Sequence, residues 1–549
     1  MCVIRFFIRA LFSQNLLMEM DCTYLPYQQT GFFSKLIIDY LQRNEALRSF
    51  YEHEVSIDGI KAAIQKRQAF PQNRAVLVNV LQQQYQGLPV TPVVEQNIQS
   101  LLQPNTFTIT TAHQPVIFTG PLYFVYKILH VIKLAESLRQ QLPQYHFVPV
   151  FYMGSEDADL DELGTINVDG KQYKWNTTQT GAVGRMKVDK SFISLLNELS
   201  NQVGVEECGK EIIDLFKECY QLNTTIQQAT LQVVNALFGE YGLIVLIPDN
   251  RELKNLFAPV IKKELTEQFS YSAVAETINE LSQNYKVQAG GREINMFYLI
   301  DDKRERIEKD GDAFIVQGIN KHFTQEELLQ ELKTNPECFS PNVILRGALQ
   351  ETILPNIAFI GGGGELAYWM ELKRVFKAIH LPYPMLILRN SFLFINEKQS
   401  GKAKELGFAI PDLFKTAQVL INELVQRDAG KQLTLPKEIA CLQKLYSETL
   451  TSIVDKIDVT LHEHVLNLGK QAQKGITELE KKMLRAEKKK YEAQQRQFNK
   501  LKAQLFPNNS LQERVENLSL FYTHYGKSFI KAAYQYSLTL EQEFAVVEL

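Results

Sequence analysis

Residues Phe107 to Lys133 read FTITTAHQPVIFTGPLYFVYKILHVIK, and this stretch decides the fold. Phe107 to Thr111 is β-rich, and a polar turn carrying His113 and Gln114 follows. Thr119-Gly120-Pro121 then launches an apolar-periodic helix that bears Lys127. Strand, polar turn and helix in that order form the unit from which a doubly wound α/β sheet builds a ligand site. The strand's carboxyl end delivers side chains to a crevice, and free N–H groups at the helix amino terminus face an anion. Taken alone, the same junction is equally a tight turn in an α/β core.

Two further segments repeat the pattern. Phe147 to Glu162 reads FVPVFYMGSEDADLDE, an apolar strand that ends in Gly154 and Ser155 and runs into five carboxylates: Glu156, Asp157, Asp159, Asp161 and Glu162. A parallel strand buried on both faces is apolar throughout, with its chemistry at the carboxyl end. Crowded carboxylates cost Coulomb energy unless cations, an amine or N–H donors receive them. Ile357 to Arg389 reads IAFIGGGGELAYWMELKRVFKAIHLPYPMLILR, a strand entering Gly361 to Gly364, a helix from near Glu365, and a second strand ending in Arg389-Asn390-Ser391. Glycines at such a bend let backbone approach a ligand closely. Four glycines in a row are not the dinucleotide fingerprint, so NAD and FAD are discounted.

In order along the chain, these strings resemble the bacillithiol biosynthesis cysteine-adding enzyme family. The resemblance rests on T-A-H-Q-P-x-x-x-T-G-P-L-Y-x-x-x-K from Thr111 to Lys127 and G-S-E-D-A-D-L-D-E from Gly154 to Glu162. It continues in G-R-E-I-N-M-F-Y, in L-P-x-x-A-F-I-G-G-G-G-E-L-A-Y from Leu354 to Tyr368, in L-R-N-S from Leu388, and in L-Q-E-R-V-E-N-L from Leu511 to Leu518. It implies a Rossmann-like parallel-sheet core of the class I aminoacyl-tRNA synthetase type. Two connecting-peptide insertions, at about 163–240 and 250–345, and a C-terminal α-helical coiled-coil domain accompany that core. The implied boundaries are 18–400 for the core with its amino-terminal helices and 401–549 for the coiled coil. The implied activity is a ligase that joins L-cysteine through an amide bond to the amine of glucosaminyl malate.

The resemblance also distributes roles. His113, Glu156, Asp157 and Asp159 are the expected catalytic groups, the three carboxylates holding an amine. Gln114, Thr119, Gly120, Lys127, Ser155, Gly362, Gly363, Gly364, Glu365, Arg389 and Asn390 are expected to bind substrate or nucleotide, with Arg389 taking the malate carboxylates. His113 and the N–H groups near Thr119-Gly120 are expected to stabilise phosphate charge. No metal and no resident cofactor is implied, and ATP is the candidate co-substrate. Two other readings use the same features: a nucleotidyltransferase acting on a small phosphorylated substrate, and a non-catalytic coiled-coil assembly protein.

Composition agrees. The 549 residues exceed what one hydrophobic core organises, and 45% hydrophobic with 22% charged residues suits a globular cytoplasmic protein. A net charge of −3 gives no basic field for nucleic acid. The six cysteines are scattered without a C-x-x-C pair, which disfavours both disulfides and a structural zinc. The first residues carry Arg5 and Arg9 inside an apolar run and read as neither signal peptide nor span, so residues 1–17 are expected to be a disordered extension.

Cys22 to Leu102 has helical periodicity, and Asp169-Gly170 marks a hairpin in the first insertion. The second insertion reads as strands at Ile294 to Ile300 and Phe314 to Val316 around a charged turn. From Ile453 to Phe506 there is no proline. A stripe of Leu461, Val465, Leu468, Ile476 and Leu479 gives way to sevenfold spacing at Leu484, Tyr491, Phe498 and Leu505. That change of stripe argues against one continuous seam. The stripe calls for a partner, and a homodimer through this helix is expected, with Leu511 to Ile530 returning antiparallel along it.

Overall fold

The computed structural model describes residues 21–428 and 432–549, so the expected extension at residues 1–17 lies outside the described part. Two compact units make up the chain. One comprises Tyr24–Leu393 together with Ser510–Val547, and the other is built on Phe394–Asn509.

The first unit is organised by a five-stranded sheet of β1 (Thr106–His113), β2 (His146–Met153), β3 (Ile244–Leu246), β4 (Asn356–Gly361) and β5 (Met385–Leu388). All neighbours are parallel and the spatial order is β5-β4-β1-β2-β3. Chain order therefore runs outward in one direction from β1 through β2 to β3, and in the other from β4 to β5. The reversal falls between β1 and β4, and a crevice opens outside the carboxyl ends of strands at such a switch point. Nearly every residue of these strands is buried, as a sheet covered on both faces demands. Helix α1 (Tyr123–Gln141) follows β1, and its Val131, Leu134 and Leu138 pack with Phe107, Ile109, Phe147 and Ile360.

The interior is not wholly apolar. Thr108 and Thr110 of β1 donate hydroxyl hydrogen bonds to Asn356 Oδ1 at the start of β4, at 3.2 and 2.8 Å. Asn356 donates in turn to Glu351 Oε1 at 2.6 Å, on α2 (Val343–Ile353). Arg67, 1% exposed, donates to Glu351 Oε2 at 2.5 Å and to the Glu351 and Pro382 carbonyls. This network fixes how β1 and β4 meet, and each member satisfies a group whose burial is costly unpaired. Arg67→Met leaves the Glu351 carboxylate uncompensated, and the unit should lose about 3–5 kcal/mol of stability. Urea unfolding followed by tryptophan fluorescence checks this, since both tryptophans, Trp175 and Trp369, are buried in this unit.

The hairpin expected at Asp169-Gly170 is present as strands Thr165–Val168 and Lys171–Lys174. In the second insertion, Met296–Ile300 and Ala313–Val316 are strands, as expected. The charged segment between them is not a turn but strand Lys303–Asp310, the middle of a five-stranded antiparallel sheet. Ile307 is its one buried residue, and Arg304 turns inward over the Phe297 ring and donates to Ser340 and the Pro341 carbonyl, which so ionic a string does not announce.

Ser510–Val547 does not return along the long helix. It packs within the core unit, because its polar side chains have partners there. Glu513, fully buried, receives Arg389, and Asn517 donates to the Phe118 and Gly120 carbonyls at 2.8 and 2.6 Å.

In the second unit the long helix is interrupted. α4 (His462–Lys488) and α5 (Glu492–Leu505) are separated by one tight 3₁₀ turn at Lys489–Tyr491, which the sevenfold spacing of Leu484, Tyr491 and Phe498 crosses. Phe498 with Leu484 and Tyr491 packs against Phe408, Leu420, Ile421 and Leu424 of the same unit. Leu461, Leu468 and Leu479 of the earlier stripe stay exposed. Among the described residues no helix is long and apolar enough to cross a membrane.

Candidate functional site

A cavity of about 380 Å³ opens at the switch point. His113 and Gln114 reach it from the end of β1, Tyr123 and Lys127 from α1, and Gly362 to Gly364 from the bend after β4. Glu365 and Tyr368 come from α3 (Gly363–Glu371), Arg346 from α2, Arg389 from the end of β5, and Arg514 from the carboxyl-terminal segment. Glu162, the last residue of the acidic run, closes the rim.

His113 is buried, and burial, reinforced by the nearby Lys127 charge, pulls its pKa down to about 4. At neutral pH the ring is therefore uncharged. Its Nδ1 lies 3.0 Å from the Gln114 carbonyl, which can only accept, so the single proton sits on Nδ1 and Nε2 accepts from the Tyr123 hydroxyl at 3.3 Å. The expectation that His113 stabilises phosphate charge is corrected: it has neither positive charge nor a spare N–H. The ring resonances of His113 should titrate with a midpoint near 4 by NMR, and a midpoint near 6.5 contradicts the assignment. Between about 6.5 and 4 the unfolded chain takes up a proton that the folded ring refuses. The stabilisation from this histidine is therefore complete above about 6.5 and is lost as pH falls toward 4.

Lys127 belongs to the site and is 2% exposed, which its place on a mixed helix face does not announce. Its ammonium donates to the Ala112 carbonyl at 2.9 Å and pairs with Glu365. Burial pushes the Glu365 carboxyl up, but the Lys127 charge and the Gly362 N–H, at 2.8 Å, together hold it below the ordinary carboxylate range. Gly361 is required by packing, since a Cβ would stand 2.7 Å from the Phe359 ring. Gly362 and Gly364 have no such constraint. Their added Cβ atoms would meet nothing closer than 3.4 Å and nothing within 4 Å respectively, and neither has positive φ. A bare backbone that the chain itself does not require suits close approach by a ligand.

Further expectations need correction. The N–H groups at the start of α1 are already used: Gly120 donates to the Ile117 carbonyl and Leu122 to the Glu516 carbonyl, at 2.9 and 2.8 Å. Thr119 and Gly120 are absent from the lining. They form a strained turn, with φ of 49°, 69° and 57° at Phe118, Thr119 and Gly120, clamped by Asn517. Glu156 faces away from the cavity and is spent on Lys254 and the Ser340 hydroxyl, while Ser155 lines a separate void of about 10 Å³, too small for a substrate. Asp159 is exposed and caps the short helix Leu160–Leu163 by accepting from the Glu162 N–H. Asn390 is buried and donates to the Leu538 carbonyl.

Asp157 stands behind the lining. Burial raises its pKa, but the Arg346 guanidinium at 3.3 Å and the Gln114 amide at 3.0 Å outweigh that and keep it ionised. It holds Gln114 and Arg346 and is itself absent from the lining. Arg389 lines the cavity, yet Glu513 takes its Nη2 at 2.7 Å and Nη1 turns to Asn390 and Ser391, so it is not free to clamp carboxylates bidentately.

Sequence reasoning missed Tyr123, Tyr368, Arg346, Arg514 and the separate place of Glu162. Tyr123 precedes Lys127 by one helical turn, and Tyr368 follows Glu365 by three residues, so helical spacing held a signal for both. Arg514 lay inside the quoted L-Q-E-R-V-E-N-L string; Arg346 carried no mark.

The model of the bacillithiol biosynthesis BshC N-terminal Rossmann-like domain matches residues 20–390, and that of the BshC C-terminal coiled-coil domain matches residues 392–549. The chain belongs to the BshC family. A relative from Flavobacterium johnsoniae, named "Putative cysteine ligase BshC", is 39% identical over 97% of this chain and all of its own length. Relatives of the same name from Flavobacterium psychrophilum and Cytophaga hutchinsonii are 39% and 37% identical, over 97% and 90% of this chain and over 100% and 92% of their own. The α/β Rossmann-like core and helical carboxyl-terminal domain expected of a BshC chain are thereby in place.

Proposed function

We propose that this BshC protein is a cysteine ligase that joins the carboxyl group of L-cysteine to the amine of glucosaminyl malate, completing bacillithiol. The observation that carries the reading is the convergence of the His113 turn, Glu162 at the end of the acidic run, and the tetraglycine bend on one cavity at the switch point. A pocket of that size accepts a small glycoside, and its lining mixes tyrosine hydroxyls, guanidinium groups and carboxylates rather than a single sign of charge.

A carboxylate is a poor electrophile at neutral pH, so the cysteine carboxyl must first be activated, and ATP is the donor we assign. Lys127 and Arg346 offer fixed positive charge to the oxygens that gain charge as the amide forms, and Tyr123 and Tyr368 orient the sugar. A nucleotidyltransferase would use the same cavity. Cysteine-dependent exchange of pyrophosphate into ATP favours ligation, and exchange dependent on a sugar phosphate favours the alternative. In living cells, loss of this protein should leave glucosaminyl malate accumulated and bacillithiol absent in thiol profiles. An unchanged thiol pool contradicts the reading.

The exposed Leu461, Leu468 and Leu479 stripe of α4, with Ile453, Ile457 and Val459 before it, supports a homodimer through the coiled coil. Sedimentation should then give twice the 63.0 kDa chain mass.

A further inference from the structure

The cavity lining has an unbalanced pair of charges. Of its acidic side chains, Glu365 is held by Lys127 and the Gly362 N–H. Glu162 receives neither a cation within 4 Å nor a hydrogen bond to its carboxylate among the described residues. Of its basic side chains, Lys127 is matched by Glu365, Arg346 by Asp157 and Arg389 by Glu513. Arg514 has no carboxylate partner among the described residues. Both unmatched groups bear on the same nearly buried hydroxyl, since Glu162 raises the Tyr123 pKa and Arg514 lowers it. Both line the cavity that Tyr123 also lines.

We propose that Glu162 is the base that receives the proton of the attacking amine and that Arg514 is the residue that selects the anionic aglycone. This rests on the ligase reading above and assigns the two ends of its amine substrate. A ligand with an ammonium at one end and carboxylates at the other meets both leftover charges, which a neutral sugar cannot do. In the reaction, the bound ammonium first loses one proton to solvent, and the freed amine lone pair attacks the carbonyl carbon of cysteine activated as a phosphate mixed anhydride. The C–N bond forms, the C–O bond to phosphate breaks with its electron pair leaving on the phosphate, and the amine's surplus proton passes to a Glu162 carboxylate oxygen. Burial first, then the negative charges of Asp159 and Asp157, lift the Glu162 pKa, with Arg346 opposing. That direction strengthens it as a base. Asp157, kept ionised by Arg346 and Gln114, cannot serve in its place.

The test uses the full-length protein with glucosaminyl malate and with methyl glucosaminide, which keeps the amine and lacks the malate. Glu162→Gln should lower kcat by at least 100-fold with KM for glucosaminyl malate changed less than fivefold. Arg514→Gln should raise KM for glucosaminyl malate tenfold or more and erase the preference over methyl glucosaminide, while KM for cysteine is unchanged. Arg514→Lys should recover part of that preference. Both side chains are exposed, and unaltered melting midpoints verify that the variants fold. If the native protein ligates cysteine but Glu162→Gln keeps its kcat, or Arg514→Gln keeps its preference, the proposal is overturned and the ligase reading survives. If the native protein forms no amide with either sugar, the ligase reading itself fails.

Discussion

Glu513→Ala should destabilise the core unit by about 3–5 kcal/mol, as large a loss as that expected for Arg67→Met. Glu513 is completely buried and accepts from Arg389 Nη2 at 2.7 Å, the Ser391 hydroxyl at 3.1 Å and the Phe392 N–H at 3.3 Å. Removing it strands a guanidinium that is only 5% exposed and orphans two more donors. Tryptophan fluorescence during urea unfolding reads the loss, because Trp175 and Trp369 both report the core unit. Glu513→Gln keeps an acceptor but not the charge, and should lose less. Equal stability of Glu513→Ala and the native chain would mean that the carboxyl-terminal segment does not anchor the end of β5.

Lys127→Met should lower turnover by about 100-fold, the scale seen when one charge-stabilising donor is removed from a site. The same change should cost about 2 kcal/mol of stability, less than for a fully buried pair because Glu365 is 24% exposed. The double variant Lys127→Met with Glu365→Gln removes the stranded carboxylate. It should recover most of the stability and none of the activity. If the double variant regains turnover, Lys127 serves the fold and not the chemistry.

The strand-turn-helix logic of Phe107 to Lys133 located β1, α1 and the cavity edge, because a β-rich strand that runs through a polar turn into an apolar-periodic helix has few other uses. The tetraglycine bend was legible for the same reason. What the sequence did not separate was the acidic run. Glu156, Asp157, Asp159 and Glu162 look alike in one dimension, yet one is paired with Lys254, one with Arg346, one caps a helix and one faces the cavity. Those fates are decided by Lys254 and Arg346, which lie about 100 and 190 residues further along the chain and approach only on folding. His113 failed differently: its identity was visible, but its neutrality follows from burial that no local pattern records. Arg389 ends a strand as expected, and it was the distant Glu513 that claimed its guanidinium.

The most direct measurement is a crystal structure of the protein grown with glucosaminyl malate. The sugar amine should lie within hydrogen-bond reach of Glu162 and the malate beside Arg514, above Tyr123 and against Gly362 to Gly364. Ligand density confined instead to another large cavity of the core unit, such as that of about 440 Å³ beside Leu88, Leu215 and Ile530, would contradict the switch-point site.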